Sequence, residues 1–218
     1  MKTLKKILLS PWTALATLAV IVAVVFQGPT FVESVKLRYF DQLITRQAPT
    51  QNNIYTVNID EATIDKYGQW PFNRGIYAKI IHELYAHNAG LVVWNVMMPE
   101  ADRQGGDTVL ADMLTHHPVI LSNTVAEKTK NIPRKPGSAV IGSENIGMIY
   151  NYPGIIANIP QLEQNAVGVG LTYTMPEVDG VNRRLPLFAA YDGGVYPSLP
   201  LEVLRVLAQD STFQVKLN

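Results

Sequence analysis

The sequence predicts an α/β protein, with one N-terminal transmembrane helix followed by a mixed, partly parallel sheet with flanking helices. Three observations lead there. Ile7 to Phe26 holds no charged residue. Beyond it, short β-branched runs alternate with stretches whose apolar residues recur every three or four positions. Gly, Pro, Asn and Asp separate these runs, as turns between strands and helices require.

A helix needs about 20 apolar residues to cross roughly 30 Å of hydrocarbon, and Ile7–Phe26 supplies that length. Lys2, Lys5 and Lys6 precede it, and positive charge stays on the cytoplasmic side. The expected order is a cytoplasmic tail over residues 1–6, a membrane helix over 7–27 and an extracytoplasmic domain over 30–218. A cleaved signal peptide is the competing reading. The run is long for one, and Val24-Val25-Phe26-Gln27 offers no small-x-small cleavage site, which favours an uncleaved anchor.

Composition narrows the classes further. At 47% hydrophobic and 17% charged residues, the chain can fill a core beside the membrane segment. At zero net charge nothing electrostatic argues for nucleic acid, which demands a basic surface. With no cysteine, disulfides, thiolate catalysis and Cys-ligated zinc are excluded.

Gly28-Pro29 ends the membrane segment, and Thr30 can cap a helix to about Arg46 with an apolar stripe of Phe31, Val35, Phe40, Leu43 and Ile44. Such a helix suits either dimerisation and signal transmission or packing on the sheet. After a polar linker from Ala48 to Asn53, Ile54–Ile59 alternates like a strand. A short helix spans Glu61 to Tyr67. Trp70 is expected to close its loop onto the next helix, Asn73 to His87, whose buried face is Ile76, Tyr77, Ile80, Ile81, Leu84 and Tyr85. Leu91–Val96 reads as a strand covered on both faces, joined to Ile54–Ile59 by a parallel crossover. A helix over Asp107–Thr115 and a strand over Pro118–Val125 follow, then a surface loop from Glu127 to Pro136. Val167–Tyr173 and Arg183–Ala190 are expected to form a hairpin around Asp179-Gly180. A helix from Ser198 to about Gln209 and a strand over Thr212–Leu217 complete the pattern.

The acids are the one constellation that suggests chemistry. Asp60 and Glu61 leave the first expected strand, Glu100 and Asp102 follow the second, and Asp107 opens the next helix. Loops after neighbouring parallel strands converge on one crevice, so these five are the candidate ligand-binding residues. Hard cations take oxygen ligands, which makes a divalent ion or a cationic molecule the matching chemistry. Each acid also has a structural use: Asp60 or Glu61 as a helix cap, Asp107 in a first turn. Spacing leaves both readings open. The four histidines follow no metal-binding pattern, and HExxH, Gly-x-Ser-x-Gly and phosphate-loop motifs are absent. Gly168-Val169-Gly170 lacks the third glycine of a dinucleotide fingerprint and fits strand packing better. Arg183-Arg184 reads as a solvated pair on a strand. No catalytic residue and no cofactor is indicated.

Several segments, in order, resemble the second type of CHASE domain, the extracellular sensory domain associated with cyclases and histidine kinases. They are Ile59-Asp60-Glu61, Gly68-Gln69-Trp70-Pro71 with Asn73-Arg74, the Tyr77–Leu84 helix, Pro99-Glu100 with Gly106-Asp107, Asp179 to Arg184, and Tyr196-Pro197-Ser198-Leu199. The resemblance implies the input domain of a bacterial inner-membrane receptor, incomplete at its C-terminus, with a nucleotide cyclase or kinase as output. The expected partners are the lipid bilayer, a second copy of the chain, and a small ligand or envelope protein. Asn95 stands where the family often carries Asp. The alternative is a membrane-anchored envelope scaffold with no sensing role.

Overall fold

A computed structural model describes residues 10–28, 30–44, 53–142 and 149–217. The chain forms two compact units, residues 1–57 with 176–183 and residues 58–175 with 184–218.

The first unit starts with α1 (Pro11–Phe26). Ser10 caps it by accepting the Trp12 N–H, and Pro11 takes the first turn, where its missing N–H costs nothing. Thr13 and Thr17 return their hydroxyls to the backbone carbonyls of Ser10 and Thr13. No α1 residue is buried: Trp12, Leu18, Val25 and Phe26 all lie exposed. Sixteen residues make about 24 Å of helix, and no single described helix is long and apolar enough to cross a membrane. Residues 7–9 of the expected span lie outside the described residues. α1 and α2 (Thr30–Ile44), bent by 80°, pass that test only as a pair. In α2 the expected stripe stays exposed at Phe31, Val35, Phe40, Leu43 and Ile44, and Leu37 is the buried residue.

The second unit is a layered α/β body. Its elements run α3 (Glu61–Tyr67), α4 (Arg74–Ala86), β1 (Val92–Trp94), α5 (Asp107–His116), β2 (Val119–Ala126) and β3 (Ser138–Gly142). There follow β4 (Gly154–Ile156), α6 (Pro160–Asn165), β5 (Gly168–Leu171), β6 (Phe188–Tyr191), β7 (Gly194–Pro197), α7 (Leu199–Leu207) and β8 (Phe213–Leu217). β2 is central. It pairs in parallel with β1 and with β5, and its last three residues pair antiparallel with β4. β3 and β8 form a separate parallel pair, and β6 and β7 a hairpin.

The core follows from the helix periodicity. α4 buries Tyr77, Ala78 and Ile81, and α5 buries Leu110, Ala111 and Leu114 against β1 and β2. Ile76, Ile80, Leu84 and Tyr85, expected on the same buried face, sit at its partly covered margin. Tyr77 is fully buried, with the rings of Trp94 at 5.1 Å and Trp70 at 5.9 Å. β5 can lie directly under α7 because Gly168 and Gly170 carry no side chain. A Cβ there would run into the Glu202 side chain and the Leu199 backbone. Strand packing is therefore the role of that Gly-x-Gly.

Three expectations are corrected. Ile54–Ile59 enters no ladder with a described strand, because alternation supplies strand propensity while a strand requires a neighbour to bond. The parallel connection runs instead from β1 through α5 to β2. The hairpin does not join residues 167–173 to 183–190, since β5 pairs with β2. It lies between β6 and β7, where Asp192 and Gly193 both take positive φ, the turn that matches strand twist. β3, β4 and α6 had no sequence expectation. All three are short, and a run of three to six residues shows little periodicity.

Trp70 is 39% exposed, so it lids the core without being part of it. Tyr77→Ala should cost about 3–5 kcal/mol. Trp70→Ala should cost about half of that, read from urea melts of the two variants beside the wild type.

Candidate functional site

The loops that follow β1 and β2 do converge, and side chains lace them shut. Asn131 donates to the carbonyls of Pro99 at 2.9 Å and Ala157 at 3.0 Å. Lys130 meets Glu100 at 2.6 Å. Asp102 works as an acceptor for backbone N–H groups, from Arg74 at 2.8 Å, Gly106 at 3.0 Å and Gln104 at 3.1 Å. It thereby joins the loop to the start of α4. Asp107 accepts the Asp102 N–H at 2.7 Å and lies 3.6 Å from Arg74 Nε. Asp60 caps α3 through the Thr63 N–H and hydroxyl, and Glu61 occupies the first turn of that helix.

The five candidate acids thus fall into three sets. Asp102 and Asp107 share Arg74, Glu100 faces Lys130, and Asp60 with Glu61 starts α3. Among the described residues no group of three or more His, Cys, Asp or Glu is placed to hold a metal ion. Asn95 accepts the Thr172 hydroxyl at 3.1 Å. A groove of about 220 Å³ lies apart from these acids, between α3 and α4, lined by Tyr67, Ile76, Lys79, Ile80 and Leu84.

The charges respond to these partners. Burial works to raise the Asp102 pKa, but the three backbone N–H groups and the Arg74 charge bring it below the ordinary value. The Lys130 contact lowers Glu100, and the Thr63 hydroxyl and N–H lower Asp60. Donors that stabilise the anion give Asp60 the role of a cap and Asp102 that of a tie.

Sequence reasoning missed two polar centres. In the second unit, Asn123, Asn158 and Glu163 form a network that is almost wholly buried. Asn158 donates to Ser122 O at 2.9 Å and Asn123 Oδ1 at 2.7 Å, and accepts the Met98 N–H at 2.6 Å. The available signal was a Ser-Asn pair inside the apolar run of β2. The other centre belongs to the first unit. Arg183, whose side chain is 7% exposed, binds Asp41 of α2 at 2.7 and 2.8 Å, Asp179 at 2.7 and 2.8 Å, and Glu177 at 3.3 Å. It is an enclosed ion-pair hub, which corrects the expectation of a solvated strand residue. No strand forms there, so alternation does not govern where the side chain goes. The Arg183 contact pulls Asp179 down to about 2.

A family model for the CHASE2 domain matches residues 16–217. The chain belongs to the CHASE2 family. CHASE2 domains are sensory modules of cyclase and kinase receptors. Among curated proteins and among solved structures, no match was found. The CHASE2-like segments quoted above now have physical roles. Gly68 to Arg74 turns the chain into α4, Pro99 to Asp107 forms the tie around Asp102, and Asp179 to Arg183 forms the hub on α2. Ser198 holds the start of α7 beside Leu171 of β5.

Asp102→Asn puts an amide donor where one carboxylate oxygen accepts N–H groups, so it should cost about 1–3 kcal/mol at neutral pH. The Asp102 pKa is lowered on folding, so its stabilising effect exists above 3.8 and fades as the pH falls through the folded value. The gap between wild type and variant should therefore close in acid, as followed by denaturant melts across pH.

Proposed function

We propose that this chain is the extracytoplasmic input module of a bacterial inner-membrane receptor whose output is a nucleotide cyclase or a kinase. The CHASE2 match carries the proposal, because the family is sensory and its domains are typically extracellular parts of membrane receptors. Physical support comes from α1. An uncharged helix with Trp12, Leu18, Val25 and Phe26 exposed loses free energy in water and gains it in lipid. Lys2, Lys5 and Lys6 before it favour a cytoplasmic N-terminus.

In this reading α2 carries the signal between sensor and membrane. Arg183 ties α2 to the turn at Glu177–Val181, so a rearrangement of that turn pulls on the helix through Asp41. The exposed stripe at Phe31, Val35 and Leu43 suits a second copy of the chain, which makes the receptor a homodimer. A small ligand or an envelope protein shifts the output only by binding two conformations with different affinity. Asp60, Glu61, Glu100, Asp102 and Asp107 remain the proposed surface for a cationic ligand.

The test is topology in a bacterial cell. A reporter that matures only outside the cytoplasm, fused after Asn218, should be active, and a cytoplasm-only reporter at the same junction silent. The reverse pattern would reject an extracytoplasmic sensor.

A further inference from the structure

Glu163 is 1% exposed, and the bonds to its carboxylate are unusual in kind. Oε1 accepts the Asn123 side-chain N–H at 2.6 Å and the Asn158 backbone N–H at 3.2 Å. Oε2 accepts the Arg134 backbone N–H at 2.6 Å. Among the described residues every one of these partners is a donor. Arg134 does not turn its guanidinium to the carboxylate either: Nη1 serves the carbonyls of Glu163 and Ala166, both at 2.8 Å. The bonds to the carboxylate fill three of its four lone-pair sites, and a proton on the fourth removes the charge that strengthens all three. The bond at Oε2 is the least buried of the set, since Arg134 is half-buried in the loop after β2 and Asn123 and Asn158 lie in the core.

We propose that Glu163 is a proton-responsive latch: proton uptake by its carboxylate weakens the Arg134 N–H bond and loosens the backbone of residues 131–136, leaving Arg134 tied to α6 only through its guanidinium. This rests on the sensory reading, and it makes the proton a ligand of the sensor. The neighbours leave Glu163 as the responsive group. Glu202 of α7, whose charge acts on Arg134 as that of Glu163 does, is held by Arg205 at 2.7 and 2.9 Å and by the Val169 N–H at 3.2 Å. Tyr196 on β7 is pushed up by burial and stays neutral. Arg134, lowered by burial, stays cationic.

Burial raises the Glu163 pKa, and the three donors and the Arg134 charge only partly offset it. A carboxyl raised on folding stabilises the protein at low pH, and this is lost as the pH climbs through the folded value. Acid therefore changes the native state at this point and does not unfold the protein through it. The loosened segment begins at Asn131, which together with the preceding Lys130 closes the loop after β1 at Pro99 and Glu100.

The test follows hydrogen exchange of the full chain in phospholipid nanodiscs, by mass spectrometry of peptides covering residues 131–136. After correction for intrinsic rates, protection should fall about tenfold between roughly pH 8 and pH 5, with the Tyr77–Ile81 peptide unchanged. Glu163→Gln presents an amide to the Arg134 N–H and should exchange fast at both pH values. A carboxyl ¹³C titration of the wild type should place Glu163 above 4.5, which decides the matter if the variant does not fold. Flat protection across pH, loss of protection throughout the domain, or titration at or below 4.5 overturns the latch. Each of these results leaves the topology test untouched, so failure here and failure of the receptor reading are distinguishable.

Discussion

Burying Asn158 obliges the rest of the second unit to come to it. A side-chain amide inside a core loses free energy unless its donors and acceptor are all satisfied. Asn158 meets this with Ser122 O and Asn123 Oδ1 on β2 and with the Met98 N–H from the loop after β1. Its own N–H goes to Asn123 and Glu163. One residue thereby sets the distance between β2, the loop after β1 and the start of α6. Apolar packing alone permits small slips of one layer on another. Directional bonds at a buried point do not, and this is the physical sense in which the polar network defines the fold.

That constraint also explains why the C-terminal ends of the parallel strands are closed. In an open sheet of this kind the loops leave a crevice for ligands. Here Asn131, Lys130 and Asp102 fill the space with ties, and each acid nearest the crevice is committed to a backbone N–H or a cation. Opening such a site means exchanging one set of partners for another, which is what a two-state sensor needs. A permanently vacant pocket would bind without moving anything.

The Arg183 hub has a comparable place in the first unit. Three carboxylates converge on one guanidinium, and the planar fork serves Asp41 and Asp179 through paired bonds. Lysine cannot reproduce that geometry. The turn that presents Asp179 relies on Gly180 at φ +79, a region that side-chain-bearing residues rarely enter. Its Asp-Gly was legible as a turn in the sequence, but its purpose was not. Asp41 lies 142 residues away along the chain, so nothing local announces the pairing.

Period and punctuation determined most of the helices and the central strand. α4, α5 and α7 carry apolar positions at helical spacing, and the cap Asn73, the first-turn Asp107 and the first-turn Pro200 mark their respective starts. β2 was evident from the apolar and β-branched residues on either side of its Ser-Asn pair. Order and motif chemistry along the chain likewise pointed to the CHASE2 family. Tertiary structure decided what depends on neighbours. It left Ile54–Ile59 outside every described ladder, moved the hairpin to Asp192-Gly193, and gave Asp102 and Asp107 a partner in Arg74, Glu100 one in Lys130 and Asp60 one in Thr63. It also created the Glu163 environment, where burial raises the pKa of a carboxyl that Asn123, Asn158 and Arg134 hold. A sequence states which groups can donate, accept or hide from water. Only the folded chain decides which of them meet, because those meetings join residues too far apart for any local pattern to record.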